Sequence, residues 1–350
     1  MLSNRATMRA PEPVHPQLHG RVIPGAFVPH PLLKNPHLQT LLPKLRPMPD
    51  VALRIERLEL PDGDFVDLGW CEPDRAHGAL LQGGQAGPLA VLLHGLTGGF
   101  ESKYARGLAR QLLARGWRVV ILQFRGAGPE PNRLPRHYHH GDTEDLRELL
   151  ALLRTREPDT RLFAVGWSLG ANVLLKYLGE EGARAPVTAA VAVCAPFQLR
   201  PCAERLRTGF SRVYQRHLMT ELQRMIQRKH EIAPLPIDLE QVARARDFFD
   251  FDTAATAVLN GFRDAYDYYA RASSGRYIGG ITAPTLAIHA RDDPFMTPEI
   301  VPQAKQLPPN VTIELCEYGG HVGFIAAGPR LAPRWWLEER IPEFLQTHAR

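Results

Sequence analysis

The sequence predicts an α/β fold: a mostly parallel central sheet flanked by helices, with a helical cap inserted between late strands. Three observations predict it. From about residue 89 onward, short apolar runs alternate with stretches of helical period. A strand–turn–strand pattern precedes them. A block from about 197 to 275 holds amphipathic helical patterns and no convincing strand. Repeated strand–helix–strand units form a parallel sheet, because their crossovers place helices on both faces.

The elements follow in order. Residues 1–20 are polar and read as loosely attached. Residues 21–50 are rich in proline and short apolar pairs and read as an irregular arm. This gives an N-terminal arm over 1–50 and a domain over 51–350 that includes the cap. Residues 51–60 partly alternate apolar and charged side chains, as a strand with one wet face does. Asp62-Gly63 signals a turn, and 65–70 is the return strand. Strands are expected at 89–93, 117–122, 161–165, 187–193, 284–288 and 311–315. Helices are expected near 101–115, at 143–154 with Leu146, Leu149, Leu150 and Leu153 on one face, at 171–178 and at 335–346. Pro234 and Pro236 break the helices of the cap.

Composition bounds the function. The net charge is +5, but Lys and Arg are scattered, so no nucleic-acid footprint is read. The balance supports at most peripheral contact with an anionic membrane surface. No window approaches the ~18–20 apolar residues that span a bilayer, and residues 1–20 lack the apolar core of a signal peptide. Cys71, Cys194, Cys202 and Cys316 form no C-x-x-C pair and read as thiols of a reduced compartment. A cytoplasmic location is expected.

Gly166-Trp167-Ser168-Leu169-Gly170 fits G-x-S-x-G between a strand and a helix. That context makes Ser168 a candidate nucleophile on a sharp turn above the sheet. A serine hydroxyl needs a base, a group to hold the base, and donors for the oxyanion. In this architecture the acid and then the histidine follow the serine along the chain. Asp292 and Asp293 both follow the 284–288 strand. Asp293 is the preferred acid, because Pro294 fixes the turn after it, and Asp292 is expected to cap the loop. His321, flanked by Gly319, Gly320 and Gly323, follows the next strand and is the candidate general base. The oxyanion donors are expected to be the backbone N–H groups of Leu96, in the loop His94–Gly99, and of Leu169. His94 is expected to order that loop by hydrogen bonding.

Other patterns carry less. His140 and Asp145 satisfy H-x-x-x-x-D, a pattern linked to acyl transfer, yet two fixed residues recur often by chance. His137, His139 and His140 beside Asp142 could suggest a metal, but a polar loop near the pocket is the expected role. Gly126-Ala127-Gly128 is an incomplete dinucleotide fingerprint. No metal and no organic cofactor is expected.

Taken together, these residues resemble the AB-hydrolase 4 family of bacterial YheT-like hydrolases and eukaryotic abhydrolase-domain lipases. The resemblance runs from about 31 to 345. It is carried by Asn35-Pro36-His37-Leu38-Gln39-Thr40, by His94–Gly98, and by Phe124-Arg125-Gly126 with Pro131–Pro135. Tyr138-His139, Gly141–Leu146, the elbow through Asn172, Asp292-Asp293-Pro294 and Gly319–Phe324 complete it. It implies an α/β-hydrolase fold with Ser168 as nucleophile, Asp293 as acid and His321 as base. It also implies a carboxylesterase or lipase acting on a small ester or acylglycerol. Its eukaryotic members are typically anchored in a membrane at the N-terminus, and no such anchor is read here. Asn35–Thr40 has no catalytic explanation at this level and reads as packing of the arm onto the domain. The expected activity is ester hydrolysis through an acyl-enzyme, of short-chain ester or monoacylglycerol type. Acyl transfer on the same triad and a non-catalytic binding protein are the alternatives.

Overall fold

The computed structural model describes residues 19–73 and 87–349. The reading of 1–20 as loosely attached falls almost wholly outside them. The chain forms β1 (Arg21–Pro24), α1 (Pro36–Leu41), β2 (Arg54–Glu59), β3 (Phe65–Cys71) and β4 (Leu89–Leu93). Next come α2 (Lys103–Leu113), β5 (Arg118–Gln123), α3 (Glu144–Arg156), β6 (Leu162–Trp167), α4 (Leu169–Glu181) and β7 (Ala189–Val193). A helical stretch follows: α5 (Leu199–Leu206), α6 (Ser211–Ile232), α7 (Leu239–Arg244), α8 (Phe248–Phe251), α9 (Ala257–Asn260) and α10 (Ala265–Ala272). The chain closes with β8 (Thr285–Ala290), β9 (Val311–Cys316), the small hairpin β10 (Ile325–Ala327) and β11 (Pro333–Trp335), and α11 (Leu337–Thr347).

Nine strands form one sheet in the order β1-β9-β8-β7-β6-β4-β5-β3-β2. Among the described residues of this sheet, the β2–β3 and β3–β5 pairs are antiparallel and the rest parallel. Side-chain alternation sorts the strands onto two faces. Leu89, Val91 and Leu93 pack with Leu146, Leu149, Leu150 and Leu153 of α3 and with α4. Ala90 and Leu92 pack with Leu108 and Leu112 of α2 and with Leu337, Ile341 and Leu345 of α11. Strands buried on both faces are apolar throughout rather than alternating, as β4, β6 and β7 are.

Two differences from the sequence reading stand out. The arm contains β1, which pairs in parallel with β9 at the sheet edge. Four residues ending at a proline give too little periodicity to read as a strand. The elbow strand also runs on through Gly166 and Trp167, so the turn falls on Ser168 itself.

The order of the strands positions the site. From β4 the chain steps to β5 on one side, then crosses back to β6 on the other. Loops leaving β4 and β6 therefore diverge to opposite faces, and a crevice opens between their C-terminal ends. Residues 199–272 leave the sheet after β7 and build their own apolar core from Leu199, Leu206, Leu222, Ile226, Phe248 and Tyr268. Among the described residues no helix is long and apolar enough to cross a membrane.

A buried polar knot holds the turn of the first hairpin against the loop after β5. Arg125 is 2% exposed and donates to Asp145 at 2.5 Å, to Asp62 at 2.7 Å and to Asp64 at 3.2 Å. Asn132 donates to Asp64 at 2.6 Å and accepts from Lys229 Nζ at 2.6 Å, which ties in α6. Asp145 is thus engaged by Arg125, and the H-x-x-x-x-D pair forms no hydrogen bond between its two members. Removing the cation leaves carboxylates buried without a partner. Arg125→Met is expected to destabilise the fold by about 3–5 kcal/mol, read from urea unfolding. A loss below about 1 kcal/mol would show that the knot is merely decorative.

Candidate active site

Ser168 closes β6 and opens α4 with φ 51° and ψ −114°. Non-glycine residues seldom adopt such backbone, and holding it costs on the order of 1–3 kcal/mol. The surroundings do hold it. Ser168 N–H donates to the Val193 carbonyl at 2.9 Å, and the Ser168 carbonyl accepts from Asn172 N–H at 3.0 Å. The helix then passes very close to the strands. A Cβ on Gly170 would sit 2.3 Å from the Leu93 carbonyl oxygen, and one on Gly166 would sit 2.4 Å from that of Gly170. Only glycine fits either place.

The Ser168 hydroxyl faces His321. His321 Nε2 lies 2.9 Å from Ser168 Oγ, and Nδ1 lies 2.8 Å from Asp293 Oδ2. A carboxylate can only accept, so Nδ1 carries the proton and Nε2 accepts from the serine. The imidazole stacks on Phe295 at 4.0 Å with 5° between planes. Asp293 is 3% exposed, and its other oxygen accepts from Phe295 N–H at 2.8 Å. Asp292 points elsewhere and accepts from Gly320 N–H at 2.9 Å, in the loop-fixing position expected of it. Burial pushes its carboxyl up to about 6.

The loop after β4 offers a donor. Gly95 N–H donates to the Tyr104 hydroxyl at 2.8 Å, and Thr97 N–H to the Tyr138 hydroxyl at 3.0 Å. The Leu96 N–H between them has no partner among the described residues. The Leu169 N–H is the first of α4, where no helical acceptor exists, and it too is free among the described residues. His94 braces the loop from below. Its Nδ1 bonds the Gly95 carbonyl at 2.8 Å, and its Nε2 accepts from Phe124 N–H at 3.2 Å. Burial lowers His94 to about 4, so the ring stays neutral in that role.

A cavity of about 640 Å³ opens onto Ser168 and His321. Leu199, Ala203, Leu206, Leu218 and Phe248 from the helical stretch line one wall; Leu108, Trp335 and Ile341 line another. The cavity also meets Asp252, whose oxygens accept from Tyr269 and Thr256 hydroxyls, both at 2.7 Å. Burial raises Asp252 to about 6.

Cys194 Sγ lies within 4.8 Å of ligand atoms of Asp293 and His321. Burial drives its thiol well above the ordinary range, so it stays protonated beside the two. His137, His139 and His140 do not converge. Burial lowers each to about 3, and His140 Nδ1 is instead 2.9 Å from the Tyr268 hydroxyl.

Residues 88–327 match the family described as the alpha/beta hydrolase fold. The chain belongs to that family. The hydrolase is 45% identical over 326 residues to YheT of Escherichia coli, an esterase by assignment; the match covers 92% of this chain and 93% of the relative. It is 32% identical over 267 residues to a monoacylglycerol lipase of Saccharomyces cerevisiae, covering 74% of this chain and 59% of the relative. In three dimensions it resembles the Pyrococcus furiosus esterase Pf2001, with a TM-score of 0.55 at 18% identity, over 94% of this chain and 97% of the other. That last likeness speaks to fold alone.

The structure brings Ser168, Asp293 and His321 of the hydrolase into one hydrogen-bonded line, with Leu96 and Leu169 beside the serine loop. Sequence reasoning missed Tyr104 and Tyr138, whose hydroxyls occupy the amides flanking Leu96. It also missed Phe295 and Thr40, which touch His321. Tyr138 and Thr40 stood inside motifs already singled out, and that was the available signal. The two aspartates can be separated by experiment. Asp293→Asn is expected to lower kcat on the order of 10⁴-fold, and Asp292→Asn to stay within about tenfold of wild type. The reverse ranking would reassign the acid.

Asp252 gives a pH signature. An acid whose folded pKa is raised binds its proton more tightly when folded. Its contribution to stability is best below the unfolded value, 3.8, and is lost as pH rises through about 6. The stability difference between wild type and Asp252→Asn is therefore expected to move in favour of the variant as pH rises from 4 to 7. Parallel unfolding curves across that range would refute the assignment.

Proposed function

We propose that this α/β-hydrolase cleaves carboxylic esters through an acyl-enzyme on Ser168. The carrying observation is the Asp293–His321–Ser168 line beside two free amides. Esterase- and lipase-type relatives give the same reaction class. His321 Nε2 takes the hydroxyl proton as Ser168 Oγ attacks the ester carbonyl. Leu96 and Leu169 N–H groups receive the oxyanion. The tetrahedral centre collapses, the ester C–O bond breaks, and His321 returns the proton to the departing alcohol. Water, deprotonated by His321, then attacks the acyl-serine; collapse frees the acid and reprotonates Ser168. Asp293 holds the Nδ1–H tautomer and stabilises the imidazolium. No metal or cofactor enters any step.

Residues 199–272 are read as the cap over this site. Their apolar side chains in the cavity favour a short acyl chain or a monoacylglycerol, the substrate named for the yeast relative. The four cysteines are buried and free, which suits a reducing, cytoplasmic setting.

Labelling with a fluorophosphonate is expected for wild type and absent for Ser168→Ala. A folded wild-type chain that stays unlabelled would return the binding-protein alternative. A chain-length series of nitrophenyl and acylglycerol esters then fixes the acyl preference, and added glycerol reports whether an alcohol competes with water as acceptor.

A further inference from the structure

We infer that α1 is the positioning element of the active-site histidine, with Thr40 and Gln39 as the residues that set it. The inference rests on the proposed role of His321 as base. Its observation is separate: how the backbone around His321 is held.

The segment Gly319–Phe324 folds back on itself under strain. Gly320, Val322 and Phe324 have φ of 57°, 65° and 46°, two of them at residues with a Cβ. Such a loop relaxes unless outside groups pin it. Its amides show who pins it. Gly320 N–H goes to Asp292 at 2.9 Å and Val322 N–H to Cys194 Sγ at 3.4 Å, both on the sheet side. The other two anchors come from α1. His321 N–H donates to Thr40 Oγ1 at 2.9 Å, and Ile325 N–H donates to Gln39 Oε1 at 2.6 Å. Gln39 Nε2 returns a bond to the Ile325 carbonyl at 3.1 Å, so the fully buried side-chain amide holds both backbone polar groups of Ile325.

The contact is also tight. A Cβ on Gly323 would fall 2.0 Å from the Gln39 carbonyl oxygen, which explains a glycine two residues after His321. Thr40 is itself oriented, since its hydroxyl proton goes to the Pro36 carbonyl at 2.8 Å and leaves a lone pair for His321. Asn35 caps the helix by accepting from His37 and Leu38 amides at 2.8 and 3.3 Å. The whole Asn35–Thr40 motif thus acquires a use: a one-turn helix built to present Gln39 and Thr40 to the histidine loop.

The same helix supports the imidazole ring by a second route. His37 Nδ1 lies 3.0 Å from the Tyr214 hydroxyl of α6. The Tyr214 ring packs on Phe295 at 4.9 Å, and Phe295 stacks on His321. Backbone and ring of His321 are therefore both referred to α1. Small displacements of a base are costly because proton transfer requires hydrogen-bond geometry in the transition state.

The test compares Thr40→Val, which keeps shape but removes the acceptor, with Thr40→Ser, which restores it. Nitrophenyl butyrate turnover, the rate of fluorophosphonate labelling of Ser168 and the melting temperature are read for each full chain. Thr40→Val is expected to lower kcat and the labelling rate by about 10- to 100-fold with KM within about twofold, and Thr40→Ser to recover most of the loss. Gln39→Met is expected to show the same split. Labelling by Thr40→Val at the wild-type rate, or equal impairment of the valine and serine variants, overturns the inference. So does a fall in melting temperature with kcat per folded molecule unchanged. An unlabelled wild type would overturn the hydrolase reading, and this one with it, whereas a labelled wild type with an unaffected Thr40→Val removes only the positioning role.

Discussion

The left-handed backbone of Ser168 is the constraint from which the rest of the site follows. A residue with a Cβ at φ 51° stays there only if strand and helix are both fixed on either side of it. The fixing requires α4 to lie almost against β4, and that approach requires Gly166 and Gly170. The close approach in turn brings the end of β4, and the loop that follows it, beside the serine. Leu96 and Ser168 thereby line the same cavity, at the start of α4. Strand order does the remainder, since the chain reverses its direction of winding between β5 and β6 and opens the crevice there.

Opposite the elbow stands a second strained segment, the histidine loop. Two strained loops that must meet within hydrogen-bond distance need rigid supports, and the supports come from different parts of the chain. The elbow is held by the parallel core of β6, β7 and α4. The histidine loop is held by Asp292 and Cys194 at the strand ends and by Gln39 and Thr40 from the N-terminal segment. Residues 199–272 have their own apolar core and are joined to the loop after β5 through polar contacts such as Lys229 with Asn132. Rigidity is thus concentrated where atoms react, and the cavity wall is built from a unit that packs on itself.

This division explains what could be read in the sequence. The positions of Ser168, Asp293 and His321 stood out in the sequence because each follows a buried strand, and buried strands announce themselves as apolar runs. Side chains whose role depends on a distant partner did not stand out. Tyr104 and Tyr138 each act through a single hydroxyl on the loop after β4, Tyr104 from the helix that follows it and Tyr138 from beyond β5, and no periodicity marks them. Asp62, Arg125 and Asp145 stood in a turn signal and in motifs, but only folding shows Arg125, Asp64 and Asp145 buried on one another. β1 was missed because four residues carry too little pattern, and its partner β9 lies almost the whole chain away.

Asn35–Thr40 is the sharpest instance, and it bears on how the site is assembled. The motif could be seen in the sequence but not explained, because its target, residues 320–325, comes at the other end of the chain. A helix of six residues has little stability of its own. It exists because Asn35 caps it and because the histidine loop and Tyr214 of α6 receive its side chains. Conversely, that loop keeps its strained shape partly because the helix is there. Each stabilises the other, so neither is formed without the rest of the domain. His321 therefore meets Ser168 only when the N-terminal segment, the sheet and the helical stretch after β7 have all come together, and any shift of α6 relative to the sheet is felt at His321 through Tyr214 and Phe295.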